Sequence, residues 1–307
     1  MQINKNLKFI IFCFIVFLSF DSHTDEGFSI SAVIETPQVE INGNADDPAI
    51  WFNEVDPSLS IVFGTDKYNG VYSYNLSGDV IGFSKSGSMN NIDLRTLNDN
   101  TYIFTTDSSN NTVNVWVYKN SYLHNKSKEG SFALDKIPHH TSKVNFLAYG
   151  LCGGLSKKDE VIIFVTEAKG PGVQLWKFDD VKLSLLNTFN NSNAYESEGC
   201  VFDDENQKFF ISEENKKGVI RSYSLTNKLL LDNKFRIDDR DGNITGDPEG
   251  LAILKTSKHE GFLIASSQGS STFNIYDRKH PHQFINSFNI VQNSSIDRVT
   301  DTDGIEI

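Results

Sequence analysis

Apolar and polar positions alternate along this chain in a figure that returns again and again. A short apolar run leads into a polar turn, and the turn opens into a second alternating run that ends near an aromatic residue. The copies pair residues 61–66 with 70–74, 102–107 with 113–116, 161–167 with 172–176, 209–214 with 218–223, and 261–268 with 273–276. Alternation of period two on both sides of a Gly, Asn or Ser turn predicts a β-hairpin. No comparably long window carries an apolar stripe of period 3.6, so little helix is expected. Less regular extended runs, such as 228–231 and 283–288, follow two of the hairpins as outer strands.

A second signature precedes each hairpin. An acidic residue or Tyr stands beside a small turn residue and runs into an apolar strand. The copies are Asp46-Asp47-Pro48-Ala49, Asn91-Ile92-Asp93-Leu94, Tyr149-Gly150-Leu151-Cys152, Glu198-Gly199-Cys200-Val201, Glu249-Gly250-Leu251-Ala252 and Asp303-Gly304-Ile305-Glu306. A unit of inner strand, hairpin and outer strand that recurs at roughly fifty residues is a propeller blade. The expected fold is therefore all-β: a six-bladed β-propeller spanning 28–307. Its last blade is incomplete, because the chain stops at Ile307 inside the sixth inner strand, and it reads as truncated at the C-terminus. Residues 28–39 read as extended and are expected to lend a strand to that blade. An open ring would leave strand edges exposed to unwanted pairing.

Composition narrows the class. The 307 residues are 38% hydrophobic and 22% charged, as in an ordinary globular protein. The net charge of −12 argues against a nucleic-acid partner, and it would repel an anionic substrate unless cations reverse the local field. Lys5 and Lys8 precede the apolar run 9–20, which ends at Asp21. That pattern predicts a signal peptide over 1–22 and a secreted or periplasmic protein, with an uncleaved anchor as the alternative. Beyond it no stable membrane span is expected, and the protein reads as a monomer. Cys152 and Cys200 occupy equivalent segments of successive repeats. They read either as a disulfide or as two buried thiols.

Inner strands of a propeller converge on its axis, so acids far apart in sequence meet there. Asp46, Asp47, Asp93, Glu198, Asp247, Glu249 and Asp303 belong to this set. The hairpin turns add Asp66, Asp107, Glu167, Glu213, Glu214 and Gln268. Two carboxylates about 5 Å apart repel by roughly 3 kcal/mol at an effective dielectric near 20, so several such pairs must take up protons or bind cations. A lone turn acid ordinarily faces solvent or closes its own turn, but recurrence at one blade position is not accounted for in that way. Oxygen-only donors select Ca²⁺ or Mg²⁺, and the His residues show no zinc spacing. Lys67 and Lys169, in the turns of the first and third hairpins, together with Tyr149, add groups able to clamp phosphate oxygens.

These segments, taken in order, resemble the β-propeller phytases. The resemblance rests on 45–51, 90–95, 149–151, 198–205, 211–214, 247–251, 265–269 and 301–305, and covers the chain from about residue 30 to its end. It implies several bound Ca²⁺ and stepwise hydrolysis of phosphate monoesters from phytate, myo-inositol hexakisphosphate, by a metal-activated water. The substrate would enter as its calcium complex, and inorganic phosphate would leave as product. By the same resemblance Asp47, Glu198, Glu214, Asp247, Glu249, Gln268, Asp297 and Asp303 are the calcium ligands, with Glu35 a further one. Lys67, Tyr149 and Lys169 contact phosphate with Asn90, Asn91 and Asp93 nearby, and the catalytic set is Lys67, Tyr149, Lys169, Glu198 and Glu214.

The chain departs from the family pattern at three points. Tyr68 follows Lys67 where a second lysine is common. Residues 107–111 carry no Arg in the second-blade turn, and the Lys169 turn is altered by Gly170-Pro171-Gly172. Two other readings fit a propeller of this kind. One is a calcium-dependent lactonase or phosphotriesterase. The other is a non-catalytic calcium-binding propeller that serves as an interaction module.

Overall fold

The computed structural model describes residues 27–39, 43–192, 194–214 and 217–307. The expected signal peptide, 1–22, lies outside the described residues. Within them the alternating runs form antiparallel sheets that repeat in chain order. The first blade is β2 (Ala45–Trp51), β3 (Ile61–Asp66), β4 (Gly70–Tyr74) and β5 (Val80–Ser84). The second is β6 (Met89–Leu97), β7 (Asn100–Asp107), β8 (Thr112–Lys119) and β9 (His140–Lys143), with the helix α1 (Asn120–Lys128) inserted before β9. β10 (Ala148–Leu155), β11 (Val161–Glu167), β12 (Gly172–Phe178) and β13 (Leu183–Asn190) make the third. The fourth comprises β14 (Cys200–Asp203), β15 (Lys208–Glu213), β16 (Val219–Leu225) and β17 (Leu231–Asp238). β18 (Pro248–Lys255), β19 (Gly261–Ser267), β20 (Thr272–Asp277) and β21 (Phe284–Val291) form the fifth.

The described residues thus form five blades, which corrects the expectation of six. The sixth repeat copy is present as extended chain and pairs into no sheet of its own. It nevertheless occupies a place in the ring at the axis: Gly250 N donates to Asp303 O at 3.2 Å, and Gly304 N donates to Asp46 O at 3.2 Å. The segment therefore bridges the fifth inner strand and the first. The strand from 28–39 also goes elsewhere than expected. β1 (Phe28–Ser31) pairs in parallel with β21, the outer strand of the fifth blade.

Each second strand carries an unbroken apolar run (such as Ile61-Val62-Phe63 or Val161–Val165) because both of its faces are covered. Adjacent side chains on a strand point to opposite faces. Ile103 accordingly packs with Trp51, Phe63 and Trp116 between the first two blades, while its neighbour Phe104 packs with Ile163 and Trp176 between the second and third. Phe209 and Phe210 divide in the same way between the two sides of the fourth blade. A strand buried on both faces loses the alternating signature that a half-buried strand displays.

One device recurs at every junction. The residue before each hairpin acid, or before Ser267 in the fifth blade, is Ser or Thr. Its hydroxyl donates to a backbone carbonyl in the next inner segment. Thr65 reaches Asn90 O at 2.8 Å, Thr106 reaches Tyr149 O at 2.5 Å, and Thr166 reaches Ser197 O at 2.5 Å. Ser212 reaches Glu249 O at 2.9 Å, and Ser266 reaches Thr302 O at 2.6 Å. These bonds tie each blade to the backbone that carries the next blade's site residue.

Candidate active site

β-Bulges aim the acids. The pairing register slips between Ala45 and Pro48, between Met89 and Ile92, between Ala148 and Leu151, and between Pro248 and Leu251. In each case the slip falls on the repeated acid or Tyr segment. A bulge adds a residue opposite one partner and re-aims its side chains, which is why bulges collect beside binding sites. Glycine at the next position lets neighbouring inner strands touch. A Cβ on Gly150 would lie 1.9 Å from Glu198 O, and one on Gly199 would lie 1.9 Å from Glu249 O.

The result is two carboxylate triads that share one residue. Asp46, Glu198 and Asp303 bring one oxygen each within 4.8 Å of one another, and so do Glu198, Glu214 and Glu249. Lys67 Nζ lies 2.7 Å from Asp46 Oδ1 and 3.4 Å from Glu198 Oε1, and stands 5.9 Å from the Tyr149 ring centre. Asn90 Nδ2 donates to Glu198 Oε1 at 2.7 Å and to Asn91 Oδ1 at 2.7 Å. The Tyr149 phenol stands near Glu198 as well, close enough for the Glu198 charge to act on it.

Electrostatics follow from burial and crowding. Burial and the Glu198 charge push Asp46 up to about 10 and Glu214 up to about 9. Burial, then Glu214 and Glu198, push Glu249 up to about 10. Asp303 moves up for the same reasons as Asp46. Burial alone would lower the Lys67 ammonium, but Glu198 and Asp46 more than reverse this, so it stays charged. Burial and Glu198 raise the Tyr149 phenol far above its ordinary range, so it serves as a donor rather than a base. Glu214 Oε1 and Glu249 Oε2 are buried without a hydrogen-bond partner. Buried oxygens of this kind ordinarily find a partner. An all-oxygen, carboxylate-rich donor set with orphaned atoms fits hard divalent cations.

Of the residues expected here, the structure gathers Glu198, Glu214, Glu249, Asp303, Lys67, Tyr149 and Asn90. Asp247 is adjacent: it adds its charge to Glu214 and Glu249 and pairs with Arg240. Gln268 stays close through its backbone, donating to Asp247 O at 3.0 Å. Asp47 is turned the other way, accepting from Ile92 N at 3.0 Å, with Asn91 beside it. Asp93 points into the axial cavity, held by Gly153 N at 2.8 Å and Arg95 at 2.8 Å. Lys169 is exposed in a left-handed turn (φ 60°), near the Glu196 carboxylate. Glu35 and Asp297 are exposed and outside both triads.

Several hairpin acids have local duties. Asp66 accepts from Asn44 N and Tyr68 N, Asp107 from Ser109 N and Asn110 N, and Glu167 from Gly172 N. Glu213 pairs with Arg221. Two further acids lie at or beside the triads. Asp46, the neighbour of Asp47, joins Glu198 and Asp303, and half-buried Glu196 stands near Glu198, which helps raise it. The Asp-Asp pair signalled the first but could not choose between them. Nothing in the sequence marked the second.

The axial mouth of the propeller gathers carboxylates around a lysine, a tyrosine and an asparagine, a set of groups suited to hold cations and an anionic ligand together. A family profile described as phytase matches residues 9–307, and the chain belongs to the phytase family of enzymes. A curated relative, the 3-phytase of Bacillus subtilis, is 27% identical over 296 residues, covering 91% of this chain and 74% of the relative. Among solved structures, a putative 6-phosphogluconolactonase from Bacteroides fragilis superposes with a TM-score of 0.52 at 10% identity, over 83% of this chain and 85% of that one. A protein of unknown function from Desulfotomaculum acetoxidans gives 0.53 at 13% identity, over 84% and 76%. At such identities the two structures speak for the propeller fold alone.

Proposed function

We propose that this chain hydrolyses phosphate monoesters of phytate in a calcium-dependent reaction and releases inorganic phosphate. The observation that supports this most strongly is the pair of triads sharing Glu198, with orphaned oxygens on Glu214 and Glu249 beside Lys67. Asp46, Glu198 and Asp303 would hold one cation, and Glu198, Glu214 and Glu249 another. When bound, calcium would supply positive charge for phosphate binding and Lewis acidity toward water.

The remaining work belongs to the side chains. Lys67 presents a fixed positive charge to the phosphoryl oxygens, where charge builds as the ester bond breaks. Tyr149 keeps its proton and stands as a donor beside Glu198. Asn90 donates to Oε1 of the same carboxylate, the oxygen that also faces Lys67, which helps orient Glu198. Lys169, at the rim, meets the outer phosphates of a highly charged substrate. Phytate should arrive as its calcium complex, because a chain with 40 acidic and 28 basic residues repels the bare polyanion.

The rival reading for a propeller of this kind is a calcium-dependent lactonase or phosphotriesterase. Incubating the protein with calcium and, separately, phytate, a sugar lactone and a phosphotriester should release phosphate from phytate alone. Turnover of the lactone or triester with phytate untouched would replace this reading with the rival.

A further inference from the structure

We infer that the Cys152–Cys200 disulfide is a positioning element of the active site, holding the Glu198 segment against the strand that carries Tyr149. The inference rests on the reading of Glu198 as the shared cation ligand. The bond joins inner segments of the third and fourth blades with their Cα atoms 5.6 Å apart. Cys152 lies three residues beyond Tyr149, and Cys200 two residues beyond Glu198.

The fourth blade has a particular need for such a tie. Asp46 lies within β2, Tyr149 within β10 and Glu249 within β18, each in a bulge with ladder pairs on both sides of it (Ala45 and Pro48, Ala148 and Leu151, Pro248 and Leu251). β14 begins only at Cys200. Glu198 therefore sits outside the ladder. Its segment is held by Ser212 N to Gly199 O at 2.9 Å, Glu214 N to Glu196 O at 3.0 Å and Thr166 Oγ1 to Ser197 O at 2.5 Å.

The disulfide closes the other end of that segment, facing the third blade. Contact there is already tight, since a Cβ on Gly150 would fall 1.9 Å from Glu198 O. Both sulfurs are buried against Phe164 and Phe202, so the anchor itself has little room to move. A covalent tie two residues from a ligand sets where its carboxylate can reach. A slack segment would let Glu198 leave both triads at once.

The test is a double-mutant cycle on calcium binding, read by titration calorimetry with calcium chloride alone. Cys152→Ser/Cys200→Ser is made with Tyr149 present and again with Tyr149→Phe. Loss of the disulfide should weaken calcium binding about 10-fold when Tyr149 is present and by less than about 3-fold when it is absent, because the bond acts through that contact. Equal losses in the two backgrounds, or none, would overturn the inference.

If the serine variant lacks native circular dichroism, the unmutated protein is reduced in the folded state by a dithiol. Two electrons and two protons then convert the bond to two thiols, and the reductant closes to its own disulfide. Faster calcium release with native dichroism retained supports the inference. Unfolding on reduction as well would make the bond a general staple and refute it. Absence of calcium binding by the unmutated protein would sink the functional reading instead.

Discussion

Glu198→Gln should lower phosphate release from phytate by about 10²–10³-fold, the scale on which removing one charge-stabilising group acts. The residue belongs to both triads, so one substitution weakens two cation sites together. Its effect on stability should have the opposite sign. After burial, the Glu198 charge helps push up the carboxyls of Asp46, Glu214, Glu249 and Asp303. A carboxyl raised in the folded state favours folding fully only below its unfolded value. That advantage drains away as pH climbs from about 4 toward the folded value, here about 9 to 10 for three of the four. Removing the Glu198 charge relieves the repulsion that grows as these carboxyls ionise, so in chelator the variant should be more stable than the unmutated protein by roughly 1–3 kcal/mol near pH 9 to 10. Added calcium should then raise its melting temperature less. A variant that is inactive and also less stable in chelator would point to a structural role for Glu198 and against cation binding.

Arg278→Ala should be the most destabilising substitution away from the site. Arg278 is fully buried, and its side chain forks onto Asp203, with Nε to Oδ2 at 2.6 Å and Nη2 to Oδ1 at 2.5 Å. A third bond reaches Glu205 at 2.6 Å, and Nη1 donates to the carbonyls of Ser257, Lys258 and Glu260. The group thereby rivets the fourth blade to the fifth. Burial alone would raise Asp203, yet Arg278 holds it below the ordinary carboxylate value. Truncation leaves that carboxylate buried and unpaired, which costs about 3–5 kcal/mol. Calorimetric melting with calcium present should fall by roughly 6–20 °C, while turnover per folded molecule is kept. Arg278→Lys should recover only part of the loss, since an ammonium cannot make the fork. A shift under about 2 °C for Arg278→Ala would show that the rivet contributes little.

The sequence announced the blades because hairpins and inner strands follow local rules, alternation and turn chemistry, that need no tertiary information. It also announced Glu198, Glu249 and Asp303, because repetition at one blade position is a tertiary statement written in sequence. The choice between Asp46 and Asp47 was not legible. Neighbours on a strand face opposite ways, and the bulge between Ala45 and Pro48 sets which one turns to the mouth. Asp66, Asp107 and Glu167 looked like site acids for the same local reason that made them turn closers: an acid at a hairpin satisfies nearby amides. Glu196 comes from an irregular segment with no period to betray it. The blade count went astray because a repeat copy marks an inner segment and not a whole sheet. Asp303-Gly304 keeps its place at the axis without building strands around it.

The central claim is that cations held by the shared triads carry the reaction. Phosphate release from phytate should therefore be followed after complete calcium chelation and again as calcium is titrated back. The account predicts that release falls to background in chelator and returns along the curve of calcium binding measured by calorimetry on the same sample. Full phosphate release in the chelated enzyme would contradict it.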